Sequence, residues 1–311
     1  MTGFDGRVAI ITGAGGGLGR EHALLLASRG ALVVVNDLGG DVHGEGTSKG
    51  PASEVADEIR RLGGEAVADT NSVATEAGGK AIVETAVEAF GRVDIVVNNA
   101  GILRDKSFQN MTAEFVDPVV DVHLKGAFFV TRPAWVLMRE QGYGRIVNTS
   151  SSAGIFGNFG QANYGAAKMG LVGLTHVLAL EGARHNIHVN AIAPVARTRM
   201  TEEVLGPLVE IVDPRLVSPL VAWLCHEECV ASGHIYTVGG GRVARLFVGM
   251  TSGWARTDGV LQIEDVRDHF DEIEDPTIYS IPGLGITDDL TALREALSSA
   301  VNERTPANER K

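Results

Sequence analysis

Short runs of β-branched and aliphatic residues alternate along the chain with longer stretches whose apolar positions recur every three or four residues. Val8 to Thr12, Ala31 to Asp37, Glu65 to Thr70, Val93 to Asn98, Arg145 to Ser150, Ile187 to Ile192 and Ile235 to Val238 read as strands. Leu18 to Arg29, Ala52 to Leu62, Glu76 to Phe90, Ala113 to Glu140, Asn163 to Arg184 and Pro214 to His226 read as the intervening helices. Seven apolar strands, each separated from the next by a helix, predict a parallel sheet with helices on both faces. Right-handed crossovers then make it a doubly wound α/β sheet of the Rossmann type.

Two segments break this rhythm. Gly39 to Gly50 contains five glycines and reads as a flexible surface loop. The stretch from Gly241 onward has no strand–helix alternation, and its Leu290, Leu293, Leu297 and Val301 are spaced for one face of a helix capped by Asp288 or Asp289. The expected organisation is a domain over residues 1–245 and a C-terminal helical appendage over 246–311, with the last residues flexible.

Composition narrows the classes. With 27 basic against 39 acidic residues the net charge is −12, which disfavours nucleic-acid binding through a basic surface. Hydrophobic residues make up 44%, enough for a large core. Cys225 and Cys229 are the only cysteines, so no disulfide framework is expected. With His226 they do not form a convergent ligand set, and no metal is expected. No apolar run is long enough for a membrane span, no secretory leader pattern is present, and the chain does not end in Ser-Lys-Leu, so a cytoplasmic location is expected.

The chemistry is concentrated at the ends of the predicted strands. Gly13, Gly15, Gly17, Leu18 and Gly19 lie in the turn from the first strand into the first helix. Glycines there let the backbone approach a pyrophosphate, and the helix N-terminus offers it free N–H groups. Asp37 closes the second strand, where a carboxylate accepts hydrogen bonds from ribose hydroxyls and repels a 2′-phosphate. The cofactor expected is therefore NAD. Asn98-Asn99-Ala100-Gly101 follows the fourth strand, with small residues for a close passage and Asn side chains to pin neighbouring strands. Tyr164 and Lys168 share one helix face, one turn apart, and Ser151 ends the fifth strand. A phenol that acts as a base near neutrality must be lowered by about three units, roughly 4 kcal/mol, and a nearby ammonium is one source of that shift.

In motif order and spacing these residues resemble the short-chain dehydrogenase/reductase family across roughly residues 5–240. The resemblance implies that Tyr164 is the catalytic acid/base, that Lys168 holds the nicotinamide ribose and lowers the phenol, and that Ser151 binds the reacting oxygen. It places Ser72 and Val73 near adenine, with Ser72 departing from the family's Asp. It places Pro194 and Thr198 near the nicotinamide amide, with Val195 where Gly is usual. The family's catalytic Asn is replaced by His123 in His123-Leu124-Lys125-Gly126. Three readings of His123 stay open: a ring nitrogen holds a relay water, only its backbone carbonyl matters, or it is a packing residue.

Asn36 to Asp41, Ala100 to Asp105, Gly157 to Tyr164 and Trp223 to Glu227 resemble the branch that oxidises (3R)-3-hydroxyacyl-CoA with NAD, some of whose relatives act on 17β-hydroxysteroids. The implied partner is a small-molecule acyl-CoA or steroid substrate, and the implied assembly a homodimer or homotetramer. A non-catalytic NAD sensor is the alternative from another class, opposed by the intact Ser151, Tyr164 and Lys168. CoA is polyanionic, and Arg104, Lys106, Arg242 and Arg245 are the candidates to meet it.

Overall fold

A computed structural model describes residues 3–48, 50–196, 212–256, 259–287, 290–291 and 293–294. Strands β1 (Val8–Thr12), β2 (Leu32–Asn36), β3 (Glu65–Asp69), β4 (Ile95–Asn98), β5 (Gly144–Thr149), β6 (Ile187–Pro194) and β7 (Ile235–Gly239) run parallel. Their order is β3-β2-β1-β4-β5-β6-β7, so the sheet reverses direction of growth between β1 and β4. That reversal opens a crevice beyond the carboxyl ends of the two strands.

The strands read as unbroken apolar runs because both faces are covered. Ala9, Ile11, Val33, Val35, Ile95 and Val97 share one core with Leu26, Ile59 and Leu224. These last three come from helices α1 (Gly17–Ser28), α2 (Gly50–Arg61) and α8 (Ser218–Cys225). The alternate residues Val8, Ile10, Val34, Val96 and Ile146 pack on the other face against Ile82, Val130 and Ala179. Those belong to α3 (Glu76–Phe90), α5 (Gly126–Gln141) and α7 (Ala162–Gly182). Period-two alternation thus divides each strand between two cores.

Three elements depart from the sequence expectation. The helix read as unbroken from Ala113 to Glu140 is α4 (Ala113–Val120), a π turn over Asp121–Lys125, and then α5. A π turn is a local widening often found at functional sites, and this one carries His123. A short helix α6 (Ser152–Phe156), started by the Ser151 hydroxyl accepting from the Ala153 N–H at 3.1 Å, was not foreseen. An eighth strand, β8 (Arg242–Leu246), pairs antiparallel with β7. Its mixture of Arg and small apolar residues suits a half-exposed edge strand and gives no apolar run to detect.

The chain divides into two compact units, Met1–Leu246 and Phe247–Lys311. The second is not purely helical. Strands β9 (Met250–Thr251) and β10 (Tyr279–Ser280) pair antiparallel, and helices α9 (Ile263–Asp268) and α10 (Phe270–Glu274) are short. Within it Trp254 stacks on His269 at 4.0 Å, and the Thr251 hydroxyl donates to the Ile273 carbonyl at 2.8 Å. Of the helix predicted further on, Leu290 and Leu293 are exposed, whereas Asp288, Asp289, Leu297 and Val301 lie outside the described residues.

Candidate active site

A cleft of about 550 Å³ opens at the sheet's crevice, a usual size for a ligand pocket. Its floor is the β1–α1 turn. Gly13 has φ +65°, and a methyl group there would lie 2.8 Å from the Cα of Ala100. A methyl group on Gly19 would lie 2.3 Å from the Gly13 carbonyl oxygen. Both positions therefore require glycine, and the turn is a tight cradle of exposed backbone at the start of α1. Gly15, Gly17 and Leu18 complete it, and Gly17 and Leu18 line the cleft.

Asp37 stands directly beside this cradle. One of its carboxylate oxygens accepts from the Gly15 N–H at 2.9 Å and the other from the Gly39 N–H at 2.7 Å. On the opposite side, the Thr12 hydroxyl accepts from the N–H groups of Asn99 and Ala100 at 3.0 and 3.1 Å. The Asn99 side chain donates to the carbonyls of Thr12 and Gly13 at 3.0 and 3.2 Å. Asn99, Ala100 and Gly101 thus form a wall tied to the cradle. Ser72 and Val73 line the far end. They are reached through a buried carboxylate: Asp69 accepts from Asn36 at 2.7 Å, from Asn71 at 2.8 Å and from Thr85 at 2.8 Å.

Sequence reading missed this anchor, and of a second polar chain it anticipated only that Asn98 would pin a neighbouring strand. The Asn98 side chain donates to the Thr131 hydroxyl and to Asn148, each at 2.9 Å, and Asn148 donates to the Thr175 hydroxyl at 2.9 Å. The chain crosses α5, β4, β5 and α7 in the interior and fixes the strand ends that carry the site. Asn following a β-branched run was its only signal.

Ser151, Tyr164 and Lys168 meet at the ends of β5 and the start of α7, and all three line the cleft. Lys168 is 3% exposed, and its ammonium donates to the Thr149 carbonyl at 2.5 Å. It lies 5.5 Å from the centroid of the Tyr164 ring. Burial pulls Lys168 from its ordinary 10.5 down to about 7. Burial pushes the Tyr164 phenol up, Asp105 adds to the rise, and the hydrogen bond with Ser151 opposes it. In the chain alone the phenol is therefore raised, where sequence reasoning anticipated lowering, because desolvation outweighs the neighbouring groups. Asn163 orients the tyrosine: its side chain accepts from the Tyr164 N–H at 2.8 Å and donates to the carbonyls of Arg104 and Phe115 at 2.9 and 2.7 Å.

His123 is 4% exposed and stands edge-on to the Tyr164 ring at 5.1 Å. Its Nε2 lies 3.0 Å from the Ile102 N and 2.8 Å from the Ile102 O, while Nδ1 is buried without a partner among the described residues. Burial first, and then the Lys168 charge, hold it well below the ordinary imidazole value, so the ring is neutral. A pocket of about 10 Å³, close to the volume one water needs, adjoins His123, Asn98, Thr12 and Lys168. Pro194 lines the cleft at the end of β6. Thr198 lies outside the described residues. Cys225 and Cys229 are buried free thiols, and burial pushes Cys225 up, away from reactivity. Among the described residues no group of His, Cys, Asp or Glu is arranged to hold a metal, and no helix is long and apolar enough to cross a membrane.

Comparison with known proteins agrees with this geometry. Residues 7–206 match the family model of the short chain dehydrogenase. The peroxisomal multifunctional enzyme type 2 of Mus musculus is 54% identical over 288 residues, covering 90% of this chain but only 38% of that protein's length. The structure of the full-length peroxisomal multifunctional enzyme type 2 from Drosophila melanogaster superposes with a TM-score of 0.80 at 41% identity, over 96% of this chain and 50% of the other. A 7α-hydroxysteroid dehydrogenase complexed with NADH and a 7-oxo bile acid superposes with a TM-score of 0.70 at 31% identity, over 77% of this chain and 95% of the other. With the glycine cradle, the β4 turn and the Ser–Tyr–Lys cluster in place at the carboxyl ends of the strands, the chain belongs to the short-chain dehydrogenase family and is an oxidoreductase acting on CH–OH groups.

Proposed function

We propose that the chain oxidises (3R)-3-hydroxyacyl-CoA to 3-ketoacyl-CoA with NAD as acceptor. The observation that carries this reading is the meeting of Tyr164 with a buried Lys168 and with Ser151 at the mouth of a dinucleotide-sized cleft. Gly13, Gly15, Gly17, Leu18 and Gly19 would hold the pyrophosphate. Asp37 would accept from the ribose hydroxyls, Ser72 and Val73 would border adenine, and Asn99, Ala100 and Gly101 would wall the cleft. Pro194 and Thr198 would meet the nicotinamide amide, and Tyr164 and Lys168 its ribose. The fit to a dinucleotide rests on the cradle, whose Gly13 and Gly19 leave no room for a side chain. NAD is favoured over NADP because a carboxylate closing β2 suits ribose hydroxyls and would repel a 2′-phosphate. The structural neighbour bound to NADH supports the same cofactor class.

Bound NAD would supply the hydride acceptor and a cationic ring. Ser151 would hold the substrate hydroxyl, and Tyr164 would take its proton as general base. Lys168, when protonated, stabilises the phenolate that this step needs. His123 positions the Gly101–Ile102 turn through Nε2 and leaves Nδ1 to the water-sized pocket that joins it to Lys168. The thioester substrate is supported by the branch motifs in residues 36–41, 100–105 and 157–164 and by the likeness to the multifunctional enzyme of Mus musculus, of which this chain spans 38%. A homodimer or homotetramer is part of the reading. Phe128 and Val136 on α5 and Met169, Val177 and Leu180 on α7 leave an exposed apolar face suited to self-association. The reading places the protein in the cytoplasm, although several relatives are named as peroxisomal.

The test is a panel of (3R)- and (3S)-3-hydroxyacyl-CoA and a 17β-hydroxysteroid, each with NAD and with NADP. The reading expects NADH formation from the (3R)-thioester at the highest kcat/KM. Preference for the steroid, the (3S)-thioester or NADP would overturn the corresponding part.

A further inference from the structure

The glycine-rich stretch after Asp37 is not a loose loop. Residues 38–48 fold back on themselves: the Asp41 carboxylate accepts from the N–H groups of His43 and Glu45, both at 2.9 Å, and the Ser48 N–H donates to the Leu38 carbonyl at 3.0 Å. Leu38, Gly40, Asp41, Val42 and Gly44 line the same cleft as the β1–α1 cradle and Tyr164. The middle of the segment, Val42 and His43, is bonded to the chain that follows β4. The Leu103 N–H donates to the Val42 carbonyl at 2.9 Å, and the Arg104 Nε to the His43 carbonyl at 3.0 Å. Arg104 also donates to the Glu114 carbonyl at 3.3 Å and faces the Glu45 carboxylate at 3.8 Å. A methyl group on Gly44 would lie 3.1 Å from the Ile102 side chain, so the segment rests on the residue that binds His123.

We propose that residues 38–48 are a strap across the adenosine half of the cofactor cleft, and that Arg104 is the positioning residue that latches it and limits how fast the cofactor leaves. The inference rests on the dinucleotide reading above. The strap leaves from Asp37, is held at its middle by Leu103 and Arg104, and returns to Leu38, so it reaches from one wall of the cleft to the other. Its glycines leave backbone facing the cleft with no side chain to fill it. Arg104 joins the strap to the reaction centre, because its carbonyl accepts from Asn163, whose side chain holds the Tyr164 N–H. A planar guanidinium with several donors reaches two carbonyls and a carboxylate at once, which a lysine cannot do. This use of Arg104 competes with its other candidate role as a contact for the CoA phosphates.

The experiment compares wild type, Arg104→Ala, Arg104→Lys and Asp41→Ala, each first shown to be folded by thermal denaturation. NADH dissociation is followed by stopped-flow displacement, and amide exchange over residues 38–48 is measured in the ligand-free chain. Loss of the latch is expected to speed NADH release about tenfold in Arg104→Ala, the equivalent of one to two net hydrogen bonds. Exchange over the strap should quicken, and KM for NAD should rise more than KM for the acyl-CoA. Arg104→Lys should recover only part of the effect. Asp41→Ala, which loosens the strap from within, should shift release and exchange in the same direction. Unchanged NADH release in Arg104→Ala and Asp41→Ala would overturn the proposal, as would a rise in KM confined to the acyl-CoA. Failure of wild type to bind NADH would overturn the dinucleotide reading itself, and the wild-type titration separates that case from failure of the strap alone.

Discussion

Strand β5 has a buried cation at each end, and the two are treated differently. At its start, Arg145 is 1% exposed and donates to the carbonyls of Gly144 and Asn186 at 2.8 and 2.9 Å and, more weakly, to those of His226 and Glu227. Its guanidinium also stacks on Tyr143 at 4.4 Å. At the other end, Lys168 is 3% exposed and has a single hydrogen bond, to Thr149, among the described residues. Burying a charge is costly unless its donors are satisfied. Arg145 meets that condition with four carbonyls from three segments of backbone and ties them together at the start of β5. Lys168 does not meet it, and faces a cleft in which Thr149 Oγ1 and His123 Nδ1 are also unpartnered. A satisfied buried cation marks scaffold, and an unsatisfied one beside a cavity marks a place kept for a ligand.

The sharpest way to break this comparison is Lys168→Met. NADH formation should fall at least about 100-fold, while the ligand-free protein becomes more stable. Burial lowers the Lys168 pKa from 10.5 to about 7, so between those values the unfolded chain binds more protons than the native one. The burden on the wild type is therefore full below about pH 7 and fades as pH rises towards 10.5. The variant's gain in Tm should be largest at neutral and acid pH and vanish in strong alkali. A variant less stable than wild type across that range would contradict the comparison.

Arg145→Met should do the reverse. Several carbonyls lose their donor, and chemical denaturation should show a loss of about 3 kcal/mol. NADH affinity should stay within a few-fold, and Arg145→Lys should not rescue stability, because one ammonium cannot reach all four carbonyls. Asp37→Ala is expected to weaken NAD about tenfold, as hydrogen bonds to a charged group are lost, and to narrow the gap to NADP. Titration of both cofactors checks this, and a wild type that prefers NADP would defeat the argument.

The smallest effect is expected at position 123. His123→Asn can still bond the Ile102 backbone and should lose less turnover than His123→Leu, which can bond neither Ile102 nor a water. Equal rates for the two variants would make His123 a packing residue.

The parallel strands and their connecting helices were legible because burial on both faces leaves apolar runs such as Val33-Val34-Val35. The cradle was legible because backbone geometry demands glycine at Gly13 and Gly19, and Asp37, Ser151, Tyr164 and Lys168 because their order and spacing along the chain resemble the family's motifs. That Asn98 pins a neighbouring strand was legible, but that its partner is Asn148 was not. The two are register partners on adjacent strands, far apart in sequence, and only pairing of β4 with β5 makes them neighbours. The ordering of residues 38–48 was hidden for the same reason, since its glycines resemble a linker until Arg104 is brought across the cleft. The π turn at His123 left no mark in the spacing, because one wider turn inside a helical stretch preserves its amphipathic pattern.

The central claim is that Tyr164 moves the proton in a cleft whose cofactor-binding parts stand independently of it. The direct measurement is NADH affinity and single-turnover oxidation of a (3R)-3-hydroxyacyl-CoA by wild type and Tyr164→Phe. The account predicts affinity within a few-fold of wild type and a rate lower by at least about 100-fold. A Tyr164→Phe enzyme that binds NADH normally and turns over within a few-fold of wild type would contradict it.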